Sequence, residues 1–366
     1  MKYSYQNENW PSFTWDATAL QSLIGMVRNK QGKLMGKMEA MGFALQEQAL
    51  LDTLTVDVLK SSKIEGEILN TDQVRSSIAR RLGMDIAGLI PSDSTVDGVV
   101  DMMLDATQNF AKPLVKDRLF GWHNCLFPTG RSGIYKINIG QWRTDDTGPM
   151  QVVSGGFGKE KVHFQAPDAI HLEKEMNHFL DWFANEKTLD PLLKAGIAHL
   201  WFITLHPFDD GNGRIARAIT DMQLCKADGS SKRFYSMSAQ ILLQRNEYYT
   251  ILEQTQKGSL DITNWLFWFF ENVLAALNAT NTTLEHVVLK ANFWEKLYNT
   301  PLNERQKLLL NKMLDGFEGK LTSTKWAKIA KCSPDTALRD IQDLILKGIV
   351  MKEDKGGRST SYTVIL

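Results

Sequence analysis

The sequence predicts a mainly α-helical protein with one short β-hairpin near its middle and a second hairpin at its carboxyl end. Apolar residues recur at helical spacing through most of the chain, as in Leu20, Leu23 and Val27. No proline occurs between Pro11 and Pro91, so nothing in that stretch interrupts a helix. The alternation typical of strands is confined to two short stretches. Together these observations place the chain in the mainly α class.

Length and charge limit the classes of function. The chain has 366 residues, and its 42 Lys and Arg are balanced by 42 Asp and Glu. This length suits two or three domains, and zero net charge argues against a protein that coats nucleic acid. Cys125, Cys225 and Cys332 are too few and too far apart for a disulfide framework or a metal cluster.

The chain carries no signal for export or membrane insertion. Its first ten residues are too polar for a secretion signal. No strongly apolar run reaches the roughly 18 to 20 residues that a membrane span needs. We therefore expect a cytoplasmic protein that makes no membrane contact.

Residues 1–95 are predicted to form an amino-terminal helical region. Helical spacing runs from about Trp15 to Gly83, which indicates several helices. Gly, Pro and Ser then accumulate up to Asp93, as they do in loops. A domain boundary or flexible connection is expected there.

Residues 96–277 are predicted to form a helical core that one hairpin interrupts. Helical spacing runs from Val96 to Phe127, and turn residues follow it. Between Met150 and Pro167, short β-prone runs lie on either side of a glycine-rich turn, which predicts a small hairpin flap with a loose loop. Further helices are predicted at Leu172 to Phe183, Leu192 to Leu205, Ile215 to Ala227, Gln240 to Gln256 and Ile262 to Leu277.

Residues 303–366 are predicted to form a separate winged helix-turn-helix, which follows a helical linker at 278–302. Helical patterns at Glu304 to Leu314 and Ser323 to Ala330 precede a third helix that begins near Pro334. A strand, a turn and a second strand then end the sequence. Three helices and a terminal hairpin are the elements of this fold.

The charges of this tail give little support to DNA binding. Residues 303–366 contain 12 Lys and Arg against 8 Asp and Glu, a small positive excess. The third helix also contains Asp335, Asp340 and Asp343, which repel phosphates. We therefore expect a role in assembly or in presenting a target more than a role in binding DNA.

The segment from His206 to Arg217 concentrates reactive groups. It reads HPFDDGNGRIAR, so an imidazole, a carboxylate, a Gly-Asn-Gly turn and two guanidinium groups lie within a dozen residues. If one helix ends before the turn and another begins within it, the backbone N–H groups of the turn can point at one anion. Arg214 and Arg217 share a helix face and can both hold a polyphosphate.

Two further side chains complete a predicted nucleotide-transfer site. Asp210 offers a hard oxygen ligand for Mg²⁺ that bridges phosphates. His206, with its near-neutral pKa, suits a general base that takes a proton from an attacking hydroxyl. Taken singly, each of these residues is more often structural, whereas their joint spacing favours a site. The sequence lacks the signatures of P-loop, zinc-protease, zinc-finger, α/β-hydrolase and Rossmann proteins.

The run HPFDDGNGRIAR resembles the signature of Fic-family enzymes, HxFx[D/E]GNGRxxR, at every specified position. Such enzymes typically transfer AMP from ATP to a protein hydroxyl and release pyrophosphate. The resemblance implies that His206 deprotonates a Ser, Thr or Tyr hydroxyl and that Asp210 holds Mg²⁺ against the phosphates. It also implies an anion hole and a phosphate clamp formed by Gly211, Asn212, Gly213, Arg214 and Arg217.

The resemblance extends to segments on either side of this run. The hairpin between Met150 and Pro167 looks like the family's flap, on which an extended segment of the protein substrate docks by strand addition. The alternative is that the flap is an ordinary surface hairpin and that the aromatic residues downstream of the signature run are ordinary core residues. The residues implied here in nucleotide contacts are Val153, Ser154, Gly155 and Gly156 of the flap, and Tyr248, Tyr249 and Gln256 downstream.

The hexapeptide from Ser61 to Gly66, SSKIEG, resembles the family's inhibitory helix motif, [S/T]xxxE[G/N]. Ser61 and Glu65 are four residues apart and so share a helix face. The resemblance implies that Glu65 pairs with Arg217, denies it to the γ-phosphate and inhibits transfer. The alternative for this motif alone is an exposed helical glutamate.

Several functions stay open at this stage. The first is an adenylyltransferase inhibited by Glu65, and the second is a DNA-binding regulator that uses the winged helix. A third is removal of AMP, in which Glu65 positions a hydrolytic water. The target protein and a homo-oligomeric state also stay open.

Overall fold

The structure is a computed structural model that describes residues 3–84, 86, 88–146, 148–155, 161–314, 320–353 and 360–365. Across these residues the chain is mainly α-helical, and its strands form separate two-stranded sheets. The mainly α class predicted from helical spacing is therefore confirmed. None of the helices in the described part of the chain is long and apolar enough to cross a membrane.

Three helices form the amino-terminal region: α1 (Ala17–Glu39), α2 (Phe43–Ile64) and α3 (Thr71–Arg81). Side-chain caps fix where two of them begin. Asp16 accepts a hydrogen bond from the backbone of the first turn of α1, and Asn70 does the same for α3. Helix α2, which carries the predicted inhibitory motif at its end, therefore lies in the chain between two helices whose first turns are capped by side chains.

The core begins with α4 (Ser94–Gln108) and α5 (Lys116–Leu126), where the sequence predicts one helical stretch. Pro113 lies in the break, and its missing N–H and fixed φ account for the interruption. The two helices pack closely. A Cβ at Gly98 would lie 1.8 Å from the carbonyl oxygen of Cys125, so only glycine allows this approach.

Two hairpins follow. The first, β1 (Arg131–Ser132) with β2 (Tyr135–Lys136), lies where the sequence predicts only turns. The second, β3 (Gln151–Ser154) with β4 (Lys161–Gln165), is antiparallel and has an irregularity in its register after Val152. It is the predicted flap.

The central helices are α6 (Leu172–Asn185), α7 (Pro191–Leu205) and α8 (Asn212–Asp228). Asp190 caps α7, and the proline at its first position suits the helix start. Nearly every residue of α7 after its first turn is buried, as expected of a helix that is apolar all round. The segment between α7 and α8 carries the HPFDDGNG run.

The next helices are α9 (Met237–Leu243), α10 (Arg245–Gln256) and α11 (Thr263–Lys296). The sequence predicts a single helix for α9 and α10, and this is wrong because the backbone leaves the helical region at Gln244, with φ −109° and ψ 31°. Asn272 donates a hydrogen bond of 3.1 Å to the Gln244 side chain and ties this junction to α11. Helix α11 also runs through most of the predicted linker.

The chain divides into two compact units. The first comprises residues 1–85 and 89–281, and the second comprises residues 86–88 and 282–366. The amino-terminal region and the catalytic core, which the sequence separates near residue 95, thus lie in one compact unit.

The second unit contains α12 (Glu304–Leu314), α13 (Ser323–Ile329), α14 (Pro334–Leu346), β5 (Val350–Lys352) and β6 (Tyr362–Val364). The helices begin where the sequence predicts them, and the two strands pair antiparallel. The winged-helix assignment itself stays a prediction. The apolar core of this second unit includes Phe293, Leu309, Leu310, Trp326, Ile341, Leu344 and Tyr362.

Two acidic residues of α14 have basic partners within this unit. Asp340 accepts a hydrogen bond of 2.8 Å from Arg305, and Asp343 accepts one of 2.5 Å from Lys347. Their charges are therefore balanced locally, which weakens the repulsion of phosphate that the sequence predicts from these two residues.

Candidate active site

One cavity of the first unit collects residues from distant parts of the sequence. Its volume is about 630 Å³, which is within the range of small-molecule sites. The flap, the HPFDDGNG run, the end of α2 and one side of α10 form its wall. The predicted residues that line it are Glu65, Val153, Ser154, His206, Asp210, Gly211, Asn212, Gly213, Tyr248, Tyr249 and Gln256.

The turn between α7 and α8 has a fixed shape. Helix α7 ends at His206, which adopts the left-handed conformation with φ 49°. The Asn212 side chain accepts a hydrogen bond of 3.0 Å from the Phe208 N–H and donates one of 2.8 Å to the Phe208 carbonyl. Both groups of the Asn212 amide are therefore used to shape the turn, and its contribution to an anion hole is limited to its backbone. Phe208 is fully buried.

Two glycines of this turn are required by their surroundings. Gly211 has φ 80°, and a Cβ there would lie 2.9 Å from the ring of Phe127. At Gly213 a Cβ would lie 2.2 Å from the carboxylate oxygen of Glu65. The GNG sequence therefore provides both the turn geometry and the room for Glu65 to approach.

Arg143 also holds the turn, and the sequence analysis does not identify it. Its Nε donates to the His206 carbonyl at 2.8 Å, and its backbone N–H donates to the Pro207 carbonyl at 2.9 Å. The residue is buried, and burial lowers the pKa of its guanidinium. Nothing local in the sequence marks it, because its partners are over 60 residues away along the chain.

The His206 imidazole is neutral and oriented. Its Nδ1 lies 3.2 Å from the Ile203 carbonyl, which can only accept, so Nδ1 carries the proton. Burial lowers the pKa of His206 to about 4, which is below the near-neutral value that the sequence analysis expects. At neutral pH the Nε2 atom is therefore free to accept a proton.

Asp210 is the only carboxylate that the sequence proposes as a metal ligand. One of its oxygens accepts from the Gly211 N–H at 2.6 Å, and the other accepts from the Ser132 hydroxyl. Within the described residues, no three His, Cys, Asp or Glu side chains form a metal-binding cluster. This donor set fits Mg²⁺, which is commonly held by one or two carboxylates together with substrate phosphates and water.

His123 supports the backbone at Asp210, and the sequence analysis does not identify it either. Its ring stacks on Phe208 with centroids 4.3 Å apart and planes 9° from parallel. The Gly140 N–H donates to Nδ1, so Nε2 carries the proton and donates to the Asp210 carbonyl at 3.2 Å. Burial lowers the pKa of His123 to about 4, which keeps this neutral form at physiological pH.

The two arginines of α8 meet acidic residues from the end of α2. Arg217 donates through Nη2 to Glu65 at 2.7 Å, and through Nε to the Ser61 hydroxyl at 2.9 Å. Arg214 donates to Glu67 at 2.7 Å. Both arginines are buried. Burial alone would lower the pKa of Arg217, but Glu65 outweighs it and the pKa is raised.

Each buried arginine keeps one N–H group without a hydrogen-bond partner within the described residues. These are Nη1 of Arg217 and Nε of Arg214. A buried donor without an acceptor is costly. Neither arginine is among the described residues that line the cavity, so an anionic ligand could pair with these groups only by displacing Glu65 and Glu67. The left-handed Gly66, with φ 86°, follows Glu65 and turns the chain away from α2.

Three hydrogen-bonded side chains connect the flap to α10. Ser154 Oγ lies 2.6 Å from His163 Nε2, and His163 Nδ1 lies 2.6 Å from Glu253. His163 and Glu253 also line the cavity, and the sequence analysis misses both because a single His and Glu carry no spacing signal. Gly155, with φ 107°, is the last described residue after β3, and Gly156 lies outside the described residues.

The three predicted contacts on α10 differ in their surroundings. Tyr248 is buried, and its hydroxyl lies 2.8 Å from His199 Nε2. Gln256 is buried and donates to Thr204 at 3.3 Å. Tyr249 is the accessible member, with 38% of its surface exposed, and it lies beneath the guanidinium of Arg245. The surface available for stacking a base is therefore that of Tyr249.

The buried histidines predict how stability depends on pH. Burial lowers the pKa of His199 from the usual 6.5 to about 3, and that of His123 to about 4. Below pH 6.5 these histidines bind protons in the unfolded chain but stay neutral in the folded chain. We therefore expect the free energy of unfolding to fall as the pH drops from 6.5 towards 4. Urea unfolding across this range should show that the free energy of unfolding of His199→Gln falls less steeply than that of the wild type, by up to about 1.4 kcal/mol per pH unit. An unchanged slope would contradict the assignment of His199 as neutral.

Comparison with known proteins agrees with this geometry. Residues 113–224 match the Fic/DOC family, and residues 3–84 match a domain of unknown function, DUF4172. The protein adenylyltransferase Fic of Nematostella vectensis is 34% identical over 98 residues, which cover 26% of this chain and 21% of that protein. A probable protein adenylyltransferase of Aquifex aeolicus (strain VF5) is 27% identical over 103 residues, which cover 28% of this chain and 30% of that protein. The chain thus spans less than a third of the length of these two relatives.

A solved structure shares the fold along the chain. The crystal structure of a Fic family protein from Desulfovibrio desulfuricans G20 superposes with a TM-score of 0.55 at 18% identity, and the match covers 97% of this chain and 98% of that one. The signature run and the flap lie within the matched residues 113–224, whereas the parts of the cavity wall from α2 and α10 lie outside them. The chain therefore contains a Fic domain.

Proposed function

We propose that this protein transfers AMP from ATP to a Ser, Thr or Tyr hydroxyl of a protein and releases pyrophosphate. One observation carries the proposal: a neutral His206, whose Nε2 is free to accept a proton, stands beside the amino terminus of α8 in a cavity of about 630 Å³. The names of the Fic relatives support the same reaction. His206 then takes the proton of the attacking hydroxyl as that oxygen bonds to the α-phosphorus, and pyrophosphate leaves.

The anion-binding groups suit a triphosphate. Helix α8 begins at Asn212, and the first N–H groups of a helix have no acceptor within it. The unpartnered N–H groups of Arg214 and Arg217 add two charged donors within one turn of the same helix. Asp210 would hold Mg²⁺, which when bound neutralises charge on the phosphates. Adenine would stack on Tyr249, the exposed aromatic of the wall.

The flap is the proposed docking site for the target. Within the part of the chain that the structure describes, strands β3 and β4 pair only with each other, so each leaves an edge on which an extended segment can add a strand. Val153 and Val162 are 48% and 40% exposed and would contact the side chains of such a segment. Proteins with a Ser, Thr or Tyr in an extended loop are the class of substrate that fits.

We propose further that Glu65 inhibits this transfer. Its carboxylate lies 2.7 Å from Arg217 and approaches Gly213 in the first turn of α8. A γ-phosphate must displace that carboxylate to reach the guanidinium. The alternative, in which Glu65 positions a water for AMP removal, places the same carboxylate at the same cavity and is distinguished by experiment.

The proposed activity is tested with two forms of labelled ATP. The full-length protein is incubated with Mg²⁺, a cell lysate and either α-labelled or γ-labelled ATP, and labelled bands are analysed by mass spectrometry. A parallel reaction without the protein measures label that the enzymes of the lysate add by themselves. Above that background we expect label from the α-position only, and a mass increase of one AMP on a hydroxyl side chain. Label from the γ-position that depends on the added protein would instead show phosphate transfer and would contradict the proposal.

A further inference from the structure

A second cluster of ionisable side chains lies in the interior, away from the cavity wall. Asp57, Asp221 and Arg233 are 0%, 1% and 3% exposed. Arg233 Nη2 lies 2.9 Å from Asp57 and 2.6 Å from Asp221. Ser236 donates its hydroxyl to the other oxygen of Asp57 at 2.5 Å. Four polar side chains thus form one connected group in the core.

The charges of this cluster indicate that it is built as a unit. Burial raises the pKa of Asp221 well above its usual range, against the lowering effect of Arg233. With Asp221 protonated, the two acids and one guanidinium carry no net charge, which removes the main penalty for burying ions. Removing Asp57 takes one charged partner from the buried Arg233, and removing Arg233 leaves Asp57 buried without its charged partner. The cluster is therefore a strong and specific link between the segments that supply it.

Two of those segments are the helices whose ends meet in the cavity. Asp57 lies on α2, eight residues before Glu65, and Asp221 lies on α8, four residues after Arg217. Arg233 and Ser236 lie between α8 and α9, and Arg233 connects Asp57 to Asp221. At a rise of about 1.5 Å per residue, the cluster stands roughly 12 Å along α2 from Glu65 and roughly 6 Å along α8 from Arg217. Helices α2 and α8 are thus joined at two points, through Arg233 in the interior and directly at the cavity.

The two points differ in how easily they open. The Glu65 side chain is 32% exposed, and its contact with Arg217 can exchange with a ligand. The Asp57 contact is fully enclosed, so it fixes α2 against the segment that follows α8, and Arg233 carries this contact on to Asp221 of α8. Glu65 stands directly after the last residue of α2, so a small shift or rotation of this helix moves its carboxylate away from Arg217.

We infer that Asp57, Arg233 and Asp221 are positioning residues that hold α2 against α8 and thereby set how strongly Glu65 occupies Arg217. This inference rests on the proposed function, in which Glu65 inhibits AMP transfer. None of the three contacts the reacting groups. Weakening the cluster raises transfer through Glu65, whereas a purely structural role would lower activity by reducing the amount of folded protein.

The test compares AMP incorporation in Asp57→Asn, Glu65→Gly and the double variant, with thermal unfolding measured on each protein. Asp57→Asn keeps the volume of the side chain and removes its charge, and we expect it to raise incorporation about threefold or more. In the Glu65→Gly background the same substitution should have no further effect. Asp52→Asn, which removes an ion pair of α2 with Arg75 on α3, serves as the matched control and should leave incorporation unchanged.

The outcomes separate this inference from the proposal on which it rests. If Glu65→Gly raises incorporation and Asp57→Asn does not, the positioning role is overturned while inhibition by Glu65 stands. If Asp57→Asn still raises incorporation in the Glu65→Gly background, the cluster does not act through Glu65, and the inference is again overturned. If Glu65→Gly has no effect, inhibition by Glu65 fails and the inference fails with it. Ser236→Ala removes one hydrogen bond from Asp57 and gives a milder variant, with a smaller expected rise, should Asp57→Asn not fold.

Discussion

Replacement of His206 by alanine is expected to lower AMP transfer about 10²- to 10⁴-fold, the usual contribution of a positioned general base. The base acts on the incoming hydroxyl and not on the nucleotide, so the affinity for ATP should change little. We assign this role to Nε2, because Nδ1 donates to the Ile203 carbonyl and the pKa of about 4 leaves the ring neutral. A neutral, oriented imidazole is the form that can accept a proton.

Two measurements check this result together. Incorporation of α-labelled AMP into protein gives the rate, and calorimetry gives the affinity for ATP. His171→Ala is the matched control, since His171 is an exposed histidine at the start of α6, and it should transfer AMP at the wild-type rate. Transfer at the wild-type rate by a folded His206→Ala protein would remove His206 from the mechanism.

The parts of the site that the sequence predicts are those that lie close together along the chain. The run from His206 to Arg217 spans a helix end, a turn and a helix start, so its spacing alone indicates which groups share a face. The same holds for Ser61 and Glu65, which are one helical turn apart. The structure brings these two segments within 2.7 Å of each other across more than 150 residues of chain.

The supporting residues could not be predicted in this way. His123 and Arg143 hold the turn through hydrogen bonds to backbone atoms, and any residue can supply a backbone carbonyl. The Asp57 and Arg233 pair depends on how α2 packs against the segment that follows α8, which periodicity leaves undetermined. The break at Gln244 contacts α11 through a hydrogen bond from Asn272, and helical spacing continues across it, so the sequence pattern does not mark it. Tertiary packing therefore determines which residues support the predicted site residues.

Replacement of Glu65 by glycine is expected to raise AMP transfer, because it frees a guanidinium that the triphosphate needs. Arg217 is 2% exposed, and its contact with Glu65 is a charge-assisted hydrogen bond. Loss of the carboxylate leaves a buried positive charge without its partner, which is strongly unfavourable. A γ-phosphate restores that partner, so the substitution favours the pose in which Arg217 holds the outer phosphate. A shift of only about 1.4 kcal/mol between poses changes the rate tenfold.

Three companion variants make the comparison decisive. Glu65→Gln removes the charge but keeps a hydrogen-bond acceptor for Arg217, so it should raise transfer less than Glu65→Gly. Arg217→Ala should not raise it, because the phosphate clamp is lost together with the contact that holds Glu65. The Glu65→Gly/His206→Ala double variant should incorporate no AMP above background, since release of the inhibitor cannot replace the base.

The direction of the Glu65→Gly effect also decides between transfer and removal of AMP. If Glu65 inhibits, incorporation of α-labelled AMP rises above the wild-type level, and release of AMP from a modified protein is unaffected. If Glu65 instead positions a hydrolytic water, the variant loses the ability to release AMP from a modified protein, and the rate of the first labelling event stays at the wild-type level. The two roles use the same carboxylate, but only inhibition depends on its competition with a γ-phosphate for Arg217. Initial rates measured over a range of ATP concentrations therefore separate them: inhibition by Glu65 requires the rise in Glu65→Gly to appear in these rates, and its absence there would contradict the autoinhibitory role.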